Sequence, residues 1–256
     1  MEQKDTMSLQ LRSRAPGALR GSAVLEIQTR ETQKLIRGRR PEGGKPGWVG
    51  LLRFAALTKV IWTGVQGDDP WADWWLWRVE ESLGQSRDEI ARMTREIRTR
   101  LKGVRALRID LAQSMAPAEI ELNFSTPYGF MAAYLLADHD ELVRGVLTAR
   151  HVGLLNRDTA DRLLYSASRA VRRALQAALG YKYLGVTRAD ARQGTAKAAR
   201  ARDLMGAVPQ EVVDGEMRAE HAPPLRQPEE ARDDRGPPSK AATEVGGADV
   251  EAGAIC

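Results

Sequence analysis

Two stretches of this sequence change their hydrophobic period within three residues, and each change restricts what can pack around it. In "EIELNFSTPYGFMAAYLLA" (119–137), Ile120, Leu122 and Phe124 alternate with Glu121, Asn123 and Ser125. Thr126 and Pro127 then open an apolar run at helical spacing. "AVLEIQTRETQKLIR" (23–37) repeats the plan, with Leu25 and Ile27 alternating with Glu26 and Gln28, then Thr29 ahead of a helix that gathers Leu35 and Ile36 on one side. Alternation specifies a strand with one buried and one wet face, and a threonine hydroxyl can accept an otherwise unpaired N–H at a helix start. A loop and a second helix are expected after each: 47–63 in the first case, about 140–155 in the second, with "DHD" (138–140) as the interruption. If the two strands pair with one another, one chain holds a doubled ribbon-helix-helix unit. If both instead join a sheet with "LRIDL" (107–111), which alternates as well and could form a hairpin with 119–125, the order is that of an ordinary antiparallel sheet. Periodicity admits either arrangement.

The remaining pattern is helical. Asp69 and Pro70 mark a helix start, Trp71, Trp74 and Trp75 form a stripe read as core packing rather than base stacking, and Gly84 marks the end. Ser86 opens another helix whose apolar line is Ile90, Met93, Ile97 and Leu101. Asn156 caps a long helix ending at Gly180, and Thr187 caps a last one running to about Met205. This last helix is polar almost all round and calls for a partner surface. The expected fold class is α+β, mostly helical, with a small antiparallel sheet or ribbon. One domain spans 21–206, preceded by a basic arm (1–20) and followed by an acidic tail (207–256) whose Pro, Gly, Ala and charge content predicts disorder.

Charge and missing motifs narrow the function. The tail carries 11 acidic and 5 basic side chains, which leaves 34 basic against 23 acidic ahead of it. A basic body suits a polyanion, because each neutralised phosphate releases condensed counterions. His139, His151 and His221 lack metal-ligand spacing, the lone Cys256 excludes an intrachain disulfide, and "PEGGKPG" (41–47) lacks the spacing of a phosphate-binding loop. No enzyme, metal or cofactor is expected. No apolar run of about 18 residues or secretory leader is evident, so a cytoplasmic protein without membrane association is expected. A two-stranded ribbon can enter the major groove of duplex DNA, and amide side chains there can read base edges. Gln28 and Asn123 are the candidate base readers, and Arg30, Lys34, Arg37, Arg39, Arg40 and Lys45 the candidate phosphate ligands. Arg169, Arg172 and Arg173, and Arg188, Arg192, Lys197, Arg200 and Arg202, could extend that surface, whereas the carboxylates of "DHDE" would repel phosphate.

The runs "LEIQTRETQKLIRGR", "DDPWADWWLWRVEESL" and "FSTPYGFMAAYLLADHDELVRGVLTARHVGLL" are similar to proteins carried by integrating conjugative elements of proteobacteria. That group resembles the AcaB-like transcriptional regulators of conjugative plasmids, and the resemblance covers about residues 18–185. It implies a ribbon-helix-helix DNA-binding regulator of transfer genes. Double-stranded DNA is the expected partner, with a homodimer or other element-encoded proteins as further candidates. The alternative is a non-enzymatic structural or protein-interaction component of transfer or element maintenance.

Overall fold

In the computed structural model, which describes residues 23–44, 46–104 and 107–225, two short strands and eight helices follow in order. These are β1 (Ala23–Ile27), α1 (Arg30–Arg37), α2 (Leu51–Gln66), α3 (Pro70–Lys102), β2 (Ala118–Leu122), α4 (Pro127–His151), α5 (Arg157–Gln176), α6 (Arg188–Gln193), α7 (Ala196–Met205) and α8 (Gln210–Asp214). The expected α+β, mostly helical class holds. β1 and β2 form a two-stranded antiparallel sheet in the register Ala23↔Leu122, Leu25↔Ile120, Ile27↔Ala118. The strands therefore pair with one another, and "LRIDL" joins neither. Residues 107–114 run as irregular chain over α4, where the Ala112 N–H donates to Thr148 Oγ1 at 3.0 Å and Arg144 Nε donates to the Ala112 carbonyl at 2.8 Å. These side chains satisfy backbone groups that a hairpin would otherwise have paired.

Two expected helix breaks are absent. Leu76, Val79, Leu83, Ser86, Ile90, Met93, Ile97 and Leu101 recur three or four residues apart and are all buried, so one stripe runs in phase through Gly84. A mid-helix glycine costs about 1 kcal/mol relative to alanine, less than the burial on either side returns. Ser86 serves as a core contact rather than a cap, its hydroxyl donating to the Ala170 carbonyl at 3.1 Å. "DHD" likewise does not interrupt α4. His139 and Asp140 are buried because the turn between β1 and α1 satisfies them. The N–H groups of Gln28 and Thr29 donate to the Asp140 carboxylate at 2.9 and 3.0 Å, and the Thr29 hydroxyl donates to it at 2.6 Å. Thr32 Oγ1 lies 2.8 Å from His139 Nδ1, and Ser168 Oγ 3.4 Å from Nε2.

The core lies where α3 crosses α2, α4 and α5, with Phe54, Leu76, Leu83, Tyr128, Leu135 and Leu175 fully enclosed. The three tryptophans at 71, 74 and 75 pack as expected. Trp71 and Trp75 are buried, and their indole N–H groups donate to the carbonyls of Gly206 and Leu179, both at 2.9 Å.

The C-terminal part corrects the expectation most. Residues 207–225, expected to be disordered with the rest of the tail, are ordered on α3: α8 buries Val212 and Val213, Arg218 Nε reaches Asp73 at 3.3 Å, and His221 Nδ1 reaches Glu80 Oε1 at 2.9 Å. The remainder of that tail and the expected arm of residues 1–20 lie outside the described residues. The single polar helix expected from Thr187 is two, α6 and α7, divided at Gly194, whose φ of 65° is left-handed. The surface it lacked in sequence is supplied within the chain. Arg188 is buried and pairs with Asp68 (2.6 Å) and with Asp73, whose side chain is wholly enclosed. An enclosed carboxylate of this kind is tolerable only while its cations stay. Arg188→Ala is therefore expected to lower unfolding stability by about 3–5 kcal/mol, read from urea midpoints. Adding Asp73→Ala should recover part of that loss.

Two buried titrating groups oppose each other with pH. Burial raises the Asp69 carboxyl to about 6, outweighing the hydrogen bonds from Tyr181 and from the Ala72 and Trp71 N–H groups that favour its charged form. The folded protein then holds that proton longer than the unfolded chain, so the stabilisation is present below about pH 4 and is lost as pH rises through 6. Burial lowers His139 to about 4, against the attraction of Asp140. Its contribution is full above about pH 6.5 and is lost as pH falls through 4. Between pH 4.5 and 6.5, Asp69→Asn should gain stability relative to the parent on the order of 2 kcal/mol, and His139→Gln should lose a similar amount. Urea unfolding at the two pH values checks both signs.

Candidate nucleic-acid interface

Because side chains alternate across a strand, burial of Leu25, Ile27 and Leu122 turns the opposite set of the ribbon to solvent. That exposed set is Val24, Glu26, Glu119, Glu121 and Asn123, with Val24 opposite Glu121 and Glu26 opposite Glu119. Its three carboxylates have no cationic partner within 4.0 Å among the described residues. The outer face of the ribbon is thus acidic. Gln28 and Asn123 are not brought together: the register sets them beyond opposite ends of the ribbon. The Gln28 amide is also occupied, donating to Glu26 and accepting from the Ser114 N–H at 2.8 Å. Asn123 is exposed, with no side-chain hydrogen bond among the described residues.

The positive charge begins where the ribbon ends. Thr29 caps α1 by accepting the Thr32 N–H, and burial of Thr32, Leu35 and Ile36 against α4 and α5 leaves Arg30, Lys34 and Arg37 exposed. At i, i+4 and i+7 these three form one row. α1 then stops at Gly38, whose φ is 73°. A Cβ there would lie 2.6 Å from the Gly50 nitrogen, so only glycine lets the end of α1 meet the start of α2 this closely. That approach pairs Arg39 with Trp48 across a backbone bridge and seats the Arg39 guanidinium 4.0 Å from the indole centroid. Arg39 Nε also donates to the Pro46 carbonyl at 3.2 Å. Arg39 is therefore already engaged, while Arg40 is exposed and Lys45 lies outside the described residues.

The α5 arginines adjoin this surface, because α1 packs against α5. Arg172 lies 5.6 Å from the Trp48 ring and 5.9 Å from the Tyr165 ring, and Arg173 pairs with Glu89 at 2.9 Å. The last basic set does not act as one surface: Arg188 is buried and paired, and Arg192 Nη2 donates to the Val213 carbonyl at 3.2 Å. Nor is "DHDE" a free acidic patch. Asp138 pairs with Arg87 at 2.8 Å, Glu141 with Arg98, and Asp140 is buried under Thr29. Sequence reasoning missed Trp48, Trp77 and Tyr165, which line a cleft with the α5 arginines. The only signal was an aromatic on each of three helical or pre-helical stretches, and nothing in spacing tells an aromatic that faces a cleft from one that fills a core.

Comparison with known proteins agrees with this architecture. The family model described as transcriptional regulator AcaB matches residues 15–226. The crystal structure of selenomethionine-containing AcaB from uropathogenic E. coli superposes with a TM-score of 0.54 at 12% identity, covering 77% of this chain and 95% of that one. At this identity the likeness is one of fold. No curated protein matches the sequence. Among the described residues, no helix is long and apolar enough to cross a membrane.

Proposed function

The chain belongs to the AcaB family of transcriptional regulators, and from that premise we propose that it controls transcription by binding duplex DNA through a ribbon-helix-helix-like unit doubled within one polypeptide. The observation that carries this reading is the antiparallel pairing of β1 with β2, each strand leading through a threonine N-cap into one helix and then a second. Phosphates would be held by Arg30, Lys34, Arg37, Arg40 and Lys45, while Arg39 holds Trp48 in place. Asn123 is the free amide for base reading. Gln28 would first have to leave Glu26 and Ser114. The acidic outer face of the ribbon opposes a deep groove approach, so the grip is assigned chiefly to the α1 row. The similarity of the quoted runs to element-borne proteins supports a non-enzymatic, cytoplasmic regulator of an integrating conjugative element, acting as a monomer or a homodimer.

A second reading, a protein-interaction component of transfer or maintenance, is favoured by the same carboxylates, which suit a basic protein surface better than a phosphate backbone. Retention assays on element promoter DNA separate the two. Arg30→Ala with Arg37→Ala should weaken retention of every duplex sequence and make the slope of log affinity against log salt shallower by roughly 2. Unchanged retention would remove α1 from the interface. Glu119→Gln with Glu121→Gln should strengthen retention at low salt if the ribbon faces DNA, and Asn123→Ala should change the ranking of sequences while leaving the salt slope as it was. Co-purification with a second element protein, together with no retention of duplex DNA, would favour the interaction component.

A further inference from the structure

Between α3, α5 and the turn 46–48 lies a cleft of about 840 Å³, within the size range of small-molecule sites. Two properties of its wall point to one kind of ligand. The first is charge. Arg39, Arg78, Arg169 and Arg172 all border it, and none has a carboxylate within 4.0 Å among the described residues. The one carboxylate on the wall, Glu81, accepts a hydrogen bond from Gln85 at 2.6 Å. Arginine forks match phosphate oxygens in pairs, so guanidinium groups gathered without counter-charge fit an oligophosphate.

The second property is flat aromatic surface. Trp48, Trp77 and Tyr165 line the same cleft. Trp77 stacks on Trp74 with centroids 5.0 Å apart and planes 9° from parallel, which holds its ring rigidly. Tyr165 is 65% exposed, far more than a packing role needs. The Trp48 indole N–H is shielded from solvent and lacks an acceptor among the described residues. Aromatic rings beside guanidinium groups form a stacking platform for a base with its phosphates alongside. Bases inside a duplex are already stacked and cannot reach such a platform, whereas a free nucleotide can.

We propose that this cleft binds a free nucleotide, its phosphates on Arg169 and Arg172 and its base against the Tyr165 and Trp77 rings. The binding is independent of the DNA reading above. The same chemistry could be offered by a nucleotide within a single strand, which the experiment separates.

The test is calorimetric titration of the full chain, at moderate salt, with ATP, GTP, inorganic triphosphate and a short single-stranded oligodeoxynucleotide. ATP or GTP should bind more tightly than triphosphate, and no more weakly than the oligonucleotide. Arg169→Ala with Arg172→Ala should weaken nucleotide binding at least about tenfold, and Tyr165→Ala should weaken nucleotide but not triphosphate. Both changes are at the surface of α5, and an unchanged thermal midpoint confirms that the fold is intact. Arg30→Ala with Arg37→Ala, placed outside the cleft, should leave nucleotide affinity unaltered whatever it does to duplex retention. Three results would each overturn the proposal: no nucleotide binding up to about 1 mM, triphosphate binding as tightly as ATP with no effect of Tyr165→Ala, or binding of the oligonucleotide alone.

Discussion

A single buried carboxylate joins the two halves of this molecule. Asp140, in the middle of α4, accepts three hydrogen bonds from Gln28 and Thr29, the two residues between the first strand and the first helix. Those N–H groups belong to a turn that cannot pair with itself, so the bonds cannot be replaced from within the first unit. The carboxylate in turn is offset by these three donors. Once this junction is set, the direction in which the strand leaves and the direction in which α1 enters are both fixed against the second unit. The pairing of β1 with β2 and the packing of α1 on α5 depend on it.

A similar use of buried charge fastens the other end. Asp73 near the start of α3 is enclosed by Arg188 and Arg218, one from α6 and one from the segment after α8. These cations come from opposite sides of the α6–α8 region, so the pair organises a polar, alanine-rich stretch that could not build an apolar core alone. Partly exposed carboxylates are paired as well, Asp138 with Arg87 and Glu141 with Arg98. Local groupings of unpaired charge remain exposed, acid on the outer ribbon face and base on α1 and along the cleft beside α5. The proposed DNA surface and the proposed nucleotide cleft both follow from those groupings rather than from net charge.

Much of the fold was legible because most elements announce themselves locally. Thr29, Asp69, Asn156 and Thr187 accept N–H groups at helix starts as their positions suggested, and alternation identified both strands. The failures have a common cause. Gly84, Ser86 and the run 138–140 carry residues that favour helix ends, yet each lies inside a helix because burial of Leu83 and Ser86 around Gly84, and of His139 and Asp140, against distant segments outweighs a local preference of about 1 kcal/mol. The strand-like alternation of 107–111 lost to the pairing of β1 with β2, a contact separated by nearly a hundred residues. Residues 207–225 read as disordered because their hydrophobic content is low, and ordered contacts with α3 compensate through a few specific pairs.

Of the candidate site, local pattern identified the row Arg30, Lys34 and Arg37, since helical spacing alone puts them on one face away from Leu35 and Ile36. It could not tell that Gln28 is occupied, that Arg39 lies on Trp48, or that Arg188 is interior, because a side chain's partner is chosen by what tertiary packing brings within 3 Å or so. By itself, then, the sequence determined the two paired strands, most helix starts and the charge available. Tertiary structure decided which charges cancel and which remain free. The physical reason is that periodicity is a property of near neighbours, while a hydrogen bond or an ion pair is made with whatever lies opposite in space.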